Sequence, residues 1–252
     1  MPCLRYKIIH KIHGKDGDSA VKKFNTTGGC DPVDHYMVDI SQRLKEIKSL
    51  VDDGKYFCIN RARQYGKTTT IQALADYLKN EYIVISLDFQ DIDTDVFERS
   101  STFTKGLARL LIYAKELSDA QIPDKYVNEL KDIIKAGVDE PKMDELFFLF
   151  RRWCKESKMR IVLMIDEVDT ASNNQVFLDF LAQLRSGYLK RKTIPTFQFV
   201  ILAGVTDVKH LKGKIRPEDE HRVNSPWNIA ADFDIDMSLS ESCIRGMLEE
   251  YE

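Results

Sequence analysis

The sequence predicts a three-layer α/β fold, in which helices cover both faces of a central, mostly parallel sheet. Apolar segments of strand length alternate along the chain with segments of helical periodicity, which is typical of parallel α/β proteins. Residues 160–165 and 197–203 are almost continuously apolar, as expected for strands that are covered on both faces. Apolar residues make up 43% of the 252 residues, which is enough for the core of one domain. Such a fold has right-handed crossovers and binds ligands at the carboxyl ends of its strands.

The first predicted elements are a helix, a strand, a second helix and a second strand. Apolar residues at helical spacing predict a helix from Ser41 that ends at Gly54, and residues 56–59 follow as a short strand. After Gly66, apolar residues at positions i, i+3, i+4 and i+7 mark one buried helix face: Ile71, Leu74, Ala75 and Leu78. Residues 82–89 are rich in residues that favour strands. A strand, loop, helix and strand therefore follow one another.

The rest of the chain continues the alternation after a helical middle. Pro123 and Pro141 separate three predicted helices: residues 103–114, 126–134 and 143–153. The strand at 160–165, a helix at 176–184 and the strand at 197–203 come next. Near the end, Ser238 and Glu241 have the spacing of a capping box before an amphipathic helix with these apolar residues: Ile244, Met247, Leu248 and Tyr251.

The ends of the chain are predicted to differ in order. Residues 1–21 lack helical or strand periodicity, so we expect a loosely ordered tail, and we expect residues 22–252 to form one domain. Two interpretations of the last helix stay open: it docks on the sheet, or it begins a further domain that this chain lacks.

Composition excludes several classes of protein. The net charge of −3 provides no overall attraction for nucleic acid or anionic lipid. No apolar run approaches the roughly 18 residues that cross a bilayer. His10, Lys11 and His13 interrupt the N-terminal segment, which lacks the continuous apolar stretch of a secretory signal, so we expect no export. Five cysteines without a C-x-x-C pair are typical of reduced thiols. We expect a cytoplasmic protein with no membrane partner.

Residues 60–69, N-R-A-R-Q-Y-G-K-T-T, stand between a predicted strand and helix, where a phosphate-binding loop belongs. Backbone N–H groups at a helix start bind anions, a lysine adds charge at the β and γ phosphates, and the next hydroxyl binds Mg²⁺. Gly66, Lys67 and Thr68 suit these roles. The expected nucleotide-binding residues are Arg61, Ala62, Arg63, Gln64, Tyr65, Gly66, Lys67, Thr68 and Thr69. By itself, Gly-Lys-Thr also fits a helix start with a solvated lysine.

The loop departs from the pattern G-x-x-x-x-G-K-(S/T) at its first position, where this chain has Arg61. If that position requires a positive φ, a non-glycine residue is strained there. Either the loop then has a different entry, or the Arg61 side chain has a role of its own.

A second motif follows the buried strand at 160–165, where Asp166 and Glu167 stand at the carboxyl end. Because the loop must lie on the same edge of the sheet, we expect Asp166 to bind Mg²⁺ together with Thr68. Glu167 would orient and polarise the attacking water. The alternative is that the two acids cap a helix or begin a solvated turn. The combination of both motifs favours nucleotide binding.

Together these motifs resemble the P-loop NTPases, in the branch with an extra strand between the Walker A and Walker B strands and a glutamate beside the Walker B aspartate. The resemblance assigns residues 82–89 to that extra strand. Residues 60–67 are similar to the R-P-R-R-F-G-K-S loop of bacterial AAA-like ATPases, of the AAA-ATPase-like domain family, which also lacks the first glycine. The similarity extends from about Lys22 to the C-terminus and includes residues 199–205 and 224–229. It implies a bacterial origin, and a helical lid and nuclease-like domain that this chain would lack.

The resemblance also implies roles for residues outside the two motifs. Thr206, as a catalytic residue, or Asp207 would sense the γ phosphate, although a surface turn fits either residue. Arg216 or Arg222 would supply charge in the transition state, although loop arginines are mostly solvated.

Candidates for adenine recognition lie upstream of the first strand. The resemblance implies that Phe24 and Tyr36 contact the base, although a core role fits either aromatic ring. The chain lacks an N-K-x-D sequence after a late strand, which disfavours guanine, so ATP is the expected nucleotide.

We therefore expect a Mg²⁺-dependent ATPase in which Lys67 and Glu167 are catalytic and which moves an attached or partner domain. The alternative is a nucleotide-dependent switch or binding module with little hydrolysis. A small-molecule kinase is disfavoured because we find no lid that binds a nucleophile.

The expected partners are ATP and a protein, either a second copy or another chain. Two basic clusters could contact nucleic acid: Arg185, Lys190, Arg191 and Lys192, and Lys209, Lys212, Lys214 and Arg216. Acidic residues 218–220 beside the second cluster favour ordinary solvated loops, so nucleic acid is not indicated.

Overall fold

The computed structural model describes residues 22–25, 28–62, 64–118, 120–172, 174–205, 208 and 226–251. Several predictions fall on residues outside these ranges: the tail 1–21, Arg63, Thr206, Asp207, Arg216, Arg222 and the second basic cluster.

Within the described ranges, helices and strands alternate as predicted. The helices are α1 (Ser41–Asp52), α2 (Lys67–Leu78), α3 (Ser100–Ser118), α4 (Asp124–Lys135), α5 (Met143–Glu156), α6 (Gln175–Lys190) and α7 (Glu241–Tyr251). The strands are β1 (Phe57–Asn60), β2 (Tyr82–Asp88), β3 (Arg160–Asp166) and β4 (Phe199–Gly204). None of the helices in the described ranges is long and apolar enough to cross a membrane.

The four strands form a parallel sheet in the order β1-β4-β3-β2. The strand between those that carry the two motifs is therefore β4. The assignment of residues 82–89 to that position is wrong, because β2 pairs only with β3 among the described strands and lies at the edge. The register places Asp88 beside Asp166, and Asn60 beside Gly204. All four strands end on one edge of the sheet, as a parallel arrangement requires.

Two apolar cores cover the two faces of the sheet, which confirms the predicted three layers. Successive side chains of a strand point to opposite faces. Phe57 and Met164 pack with α1 and α2 on one face, whereas Ile85 and Leu163 pack with α3 to α6 on the other. Since full burial of one such side chain contributes about 1.5–3 kcal/mol, strands apolar on both faces gain from both layers.

The C-terminal segment, residues 231–238, lies beside β1. Ala231 forms a parallel bridge with Phe57, and its N–H donates to Tyr56 O at 2.7 Å. The ring of Phe233 packs on Phe57, with 5.0 Å between centroids. This segment therefore contacts the outer side of β1 through a single bridge and brings the C-terminal part of the domain close to the loop after β1.

Helix α7 does not dock on the sheet: none of its residues is buried. Instead Tyr251 contacts Phe24 and Tyr36, each at 5.4 Å between ring centroids, and Lys22 forms an ion pair with Glu250. The predicted capping box at Ser238 is wrong, because α7 begins at Glu241 and Ser240 Oγ accepts from the third N–H of the helix.

Candidate functional site

The loop after β1 enters α2 through a glycine that the backbone requires. Gly66 precedes the helix with φ 70° and ψ 26°, the left-handed region that favours glycine. Its carbonyl accepts the N–H of Thr70 at 2.9 Å, which forms the first turn of α2. A Cβ at Gly66 would meet no atom within 4 Å, so the backbone conformation alone selects glycine here.

Arg61 does not occupy a strained position. The positive φ angles of described non-glycine residues are at Gln64 (66°) and Glu167 (52°), so the loop has a different entry from the one the pattern implies. The guanidinium of Arg61 donates to Asn60 O at 3.1 Å and to Phe233 O at 3.3 Å, and lies over the Phe233 ring. The loop therefore has a different entry, and the Arg61 side chain also has a role of its own, so both alternatives given for this position hold.

The Lys67 ammonium is directed into the loop. Its Nζ donates to Arg61 O at 3.0 Å and to Ala62 O at 3.2 Å, and the residue is only 6% exposed. By contrast, Ala62, Gln64 and Tyr65 are exposed. The loop therefore has a buried cation below an accessible backbone, the arrangement that binds a phosphate group.

The two predicted motifs meet at one hydrogen bond. Thr68 Oγ1, in the first turn of α2, donates to Asp166 Oδ2 at 2.7 Å. The other oxygen, Oδ1 of Asp166, accepts the N–H of Glu167 at 2.9 Å. Asp166 is 4% exposed. Residues 98 positions apart in the chain therefore present a hydroxyl and a carboxylate at the carboxyl end of β3.

Glu167 stands at the same edge in a left-handed conformation, with φ 52° and ψ 40°. Burial raises the pKa of its carboxyl group, and the charges of Asp166, Asp169 and Asp88 raise it further, whereas Lys67 opposes the shift. Burial and Asp166 also raise the pKa of Asp88. The strand ends therefore concentrate negative charge beside the loop.

These donors suit a magnesium ion. Mg²⁺ prefers oxygen ligands, binds one or two carboxylates, and takes its remaining ligands from water and phosphate oxygens. Among the described residues no group of three or more His, Cys, Asp or Glu could hold a metal by itself. Thr68 and Asp166 fit an ion that shares its ligands with a nucleotide, and Asp88, in register with Asp166, adds a carboxylate at the same edge of the sheet.

Two residues at this edge were not assigned a role from the sequence. Asp88 ends β2 in register with Asp166, and the carboxylate of Asp169 accepts the N–H of Val205 after β4. Both residues follow buried strands, and the ends of parallel strands share one edge, so the sequence could have placed them near the site. It could not have shown which strands are neighbours, because that requires the strand order.

Other predicted site residues have different surroundings. Thr69 Oγ1 accepts from the N–H of Cys30 at 3.2 Å, so Thr69 contacts the N-terminal segment. Phe24 is 44% exposed and lies 5.0 Å from Tyr36, which excludes a core role for Phe24. In the first basic cluster, Arg185 bonds to Asn228 and Arg191 lies over its neighbour Tyr188.

Comparison with known families supports the fold and nucleotide binding. A sequence profile of the AAA-like domain matches residues 35–212, more than half of the chain. No match is found among curated proteins. The matched range contains both the loop after β1 and the acidic end of β3, so it includes the site and supports nucleotide binding.

Two solved structures illustrate the similarity in fold. A Walker-type ATPase of Pyrococcus abyssi superposes with a TM-score of 0.55 at 13% identity, over 85% of this chain and 57% of that chain. Cdc6p of Pyrobaculum aerophilum gives a TM-score of 0.50 at 14% identity, over 84% of this chain and 48% of that chain. The chain thus spans about half the length of these structures. The similarity confirms the predicted α/β P-loop NTPase fold.

Proposed function

Because the chain belongs to the family of AAA-like domains, we propose that it binds ATP with Mg²⁺ and hydrolyses ATP at the edge formed by β1, α2 and β3. One observation carries the proposal: Thr68 Oγ1 donates to Asp166 Oδ2 at 2.7 Å, which joins the loop to the acidic strand end. A helix start beside a carboxylate is suited to a triphosphate and its cation.

In this proposal the loop, residues 61–69 including Arg63, binds the phosphates. The first N–H groups of α2 have no partner inside the helix and donate to phosphate oxygens. The Lys67 ammonium, whose Nζ donates to two loop carbonyls, would donate to the β and γ phosphates. Gly66 allows the backbone to turn closely around the anion.

Thr68 and Asp166 would hold Mg²⁺, which neutralises charge on the phosphates when bound. Glu167 would orient and polarise the attacking water through its carboxylate. Its position one residue after Asp166, with the Glu167 N–H bonded to Asp166 Oδ1, supports this role. Thr206 remains the proposed contact to the γ phosphate. Most of the rate gain would come from positioning and charge stabilisation.

We further propose that residues 22–252 form the ATP-binding domain and that nucleotide state is coupled to an attached or partner domain. Two arginines support this route. Arg61, in the loop, bonds to Phe233 O. Arg43, on α1, donates to Asp236 O and Ser238 O and contacts Thr70 of α2. A shift of the loop or of α2 would thus reach the segment that leads to α7.

The experiment compares phosphate release and ATP binding in the parent protein and in Glu167→Gln. We expect the parent to release phosphate only with Mg²⁺. Loss of a group that activates water costs about 10²–10⁴ in rate, so Glu167→Gln should lose at least about 100-fold in kcat while its Kd for ATP changes little. Glu249→Gln, an exposed change on α7, serves as the control and should match the parent.

Two results would contradict the proposal at different points. If the parent failed to bind ATP with Mg²⁺, the whole proposal would be wrong. If the parent bound ATP tightly but released no phosphate, the protein would be a nucleotide-dependent switch, and the role of Glu167 in hydrolysis would be withdrawn.

A further inference from the structure

A third acidic residue, Asp169, links the turn after β3 to the end of β4. It lies in the short 3-10 helix Val168–Ala171, and its Oδ2 accepts the N–H of Val205. Val205 directly follows β4, and the last residue of that strand, Gly204, approaches Asp169 closely. A Cβ at Gly204 would lie 2.7 Å from Asp169 Oδ2 and 3.1 Å from its Cγ.

The same turn contains Glu167, whose backbone conformation is unfavourable and must be stabilised by contacts with the rest of the structure. A left-handed conformation at a non-glycine residue costs on the order of 1 kcal/mol, and Glu167 adopts it two residues before Asp169. Within the turn, Thr170 N–H donates to Glu167 O at 3.2 Å. The Asp169 carboxylate then attaches the same turn to the neighbouring strand.

We propose that Asp169 is a positioning residue for ATP hydrolysis: through the Val205 N–H it fixes the turn that holds Glu167 relative to the chain after β4. This inference rests on the proposed function. Gly204 is part of the same device, because only a residue without a Cβ leaves room for the carboxylate. Because the Asp169 carboxylate is bonded to the Val205 N–H, which follows β4, we expect it to affect turnover more than ATP binding.

Two substitutions of Asp169 distinguish the role of its hydrogen bond to Val205 from the role of its negative charge. An asparagine in this position offers a carbonyl oxygen that accepts the same N–H, whereas alanine offers none. Asp169→Asn should therefore retain most of the turnover, and Asp169→Ala should lose it. A purely electrostatic role would predict the same loss in both variants.

The test measures kcat and the Kd for ATP in the full chain for Asp169→Ala, Asp169→Asn and Gly204→Ala. We expect Asp169→Ala and Gly204→Ala to lower kcat at least tenfold with less than a threefold change in Kd. Gly137→Ala serves as the control, because a Cβ at Gly137 meets no atom within 4 Å. Asp169→Ala removes the closest contact of a Cβ at Gly204, to Oδ2 at 2.7 Å, and leaves the one to Val168 Cγ2 at 3.1 Å. Adding Gly204→Ala to Asp169→Ala should therefore cost less than Gly204→Ala costs in the parent.

A second readout needs no nucleotide. Hydrogen exchange of the Val205 amide in the free protein should accelerate in Asp169→Ala and stay protected in Asp169→Asn. Unchanged kcat in Asp169→Ala, or equal losses in the alanine and asparagine variants, would overturn the inference. If Asp169→Ala did not fold, Gly204→Ala would test the inference in its place. A kcat for Gly204→Ala equal to that of the parent would then overturn the inference. A parent that released no phosphate would instead overturn the proposed function itself, and this role with it.

Discussion

The loop after β1 and the acidic end of β3 meet at one site but are held in place by different groups. The loop is held through its backbone: Lys67 Nζ donates to Arg61 O and Ala62 O, and the Arg61 N–H donates to Gly204 O at 3.2 Å. The acidic end is held through side chains, since Asp166 and Asp169 accept from Thr68 and Val205.

The comparison explains why one motif departs from its pattern and the other does not. Backbone carbonyls are present whatever the side chain, so the loop accepts arginine at its first position and uses the side chain elsewhere. A carboxylate that accepts two defined donors has few substitutes. We therefore expect phosphate binding by the loop to depend mainly on Lys67 and Gly66, and cation binding to depend on the Thr68 hydroxyl. The acidic end should depend on most of its side chains.

The largest effect is expected from Lys67→Ala. Hydrogen bonds to charged groups contribute about 1.5–3 kcal/mol each, so losing the contacts of the ammonium to phosphate should weaken ATP binding by at least about 100-fold. Isothermal titration with ATP and Mg²⁺ measures this loss. Lys79→Ala, just after the other end of α2 and paired with Asp76 on the surface, should bind as the parent does. If Lys67→Ala bound ATP as tightly as the parent does, the proposal that this loop binds the phosphates would be wrong.

A smaller effect is expected from Thr68→Ala, which removes a Mg²⁺ ligand but leaves the phosphate contacts of the loop. We expect about a tenfold rise in the Mg²⁺ concentration that half-saturates ATP hydrolysis, consistent with the loss of one hydrogen-bonded oxygen ligand. Thr68→Ser keeps the hydroxyl and should behave as the parent. An equal loss in the serine variant would indicate that packing by the Thr68 methyl group, rather than its oxygen, is what matters.

The smallest effect on nucleotide binding is expected from Arg61→Ala. Because the guanidinium bonds to Asn60 O and Phe233 O rather than lying free over the loop, ATP affinity should change less than about threefold. Arg61→Ala should instead lower the free energy of unfolding in urea by about 1 kcal/mol, because it removes two partly exposed hydrogen bonds and one cation–π contact. Arg61→Lys should not restore it, since lysine lacks the planar fork. A tenfold loss of ATP affinity would contradict this account of Arg61.

The sequence predicts features that depend on neighbouring residues better than features that depend on residues far apart in the chain. The apolar segment at residues 160–165 predicts a buried strand, because each of residues 161–165 faces one of the two cores. The motifs at Lys67 and Asp166 predict the site, because strand ends share one edge. Strand order is not encoded locally, and residues 82–89 were accordingly assigned to the wrong position.

Three further details could not be predicted for the same reason, because each depends on contacts between distant parts of the chain. The pairing of Asp169 with Val205 joins residues 36 positions apart, and it depends on β4 lying next to β3. The path of the Arg61 side chain depends on the position of Phe233. The apolar face of α7 was visible as a pattern, but a pattern does not specify what covers a helix, and no residue of α7 is buried here.

A structure of the chain with a non-hydrolysable ATP analogue and Mg²⁺ tests the central claim most directly. The account predicts that Lys67 Nζ contacts the β and γ phosphates and that the ion is bound between Thr68 Oγ1, Asp166 and a phosphate oxygen. A nucleotide bound elsewhere, with Lys67 still bonded only to Arg61 O and Ala62 O, would contradict the account.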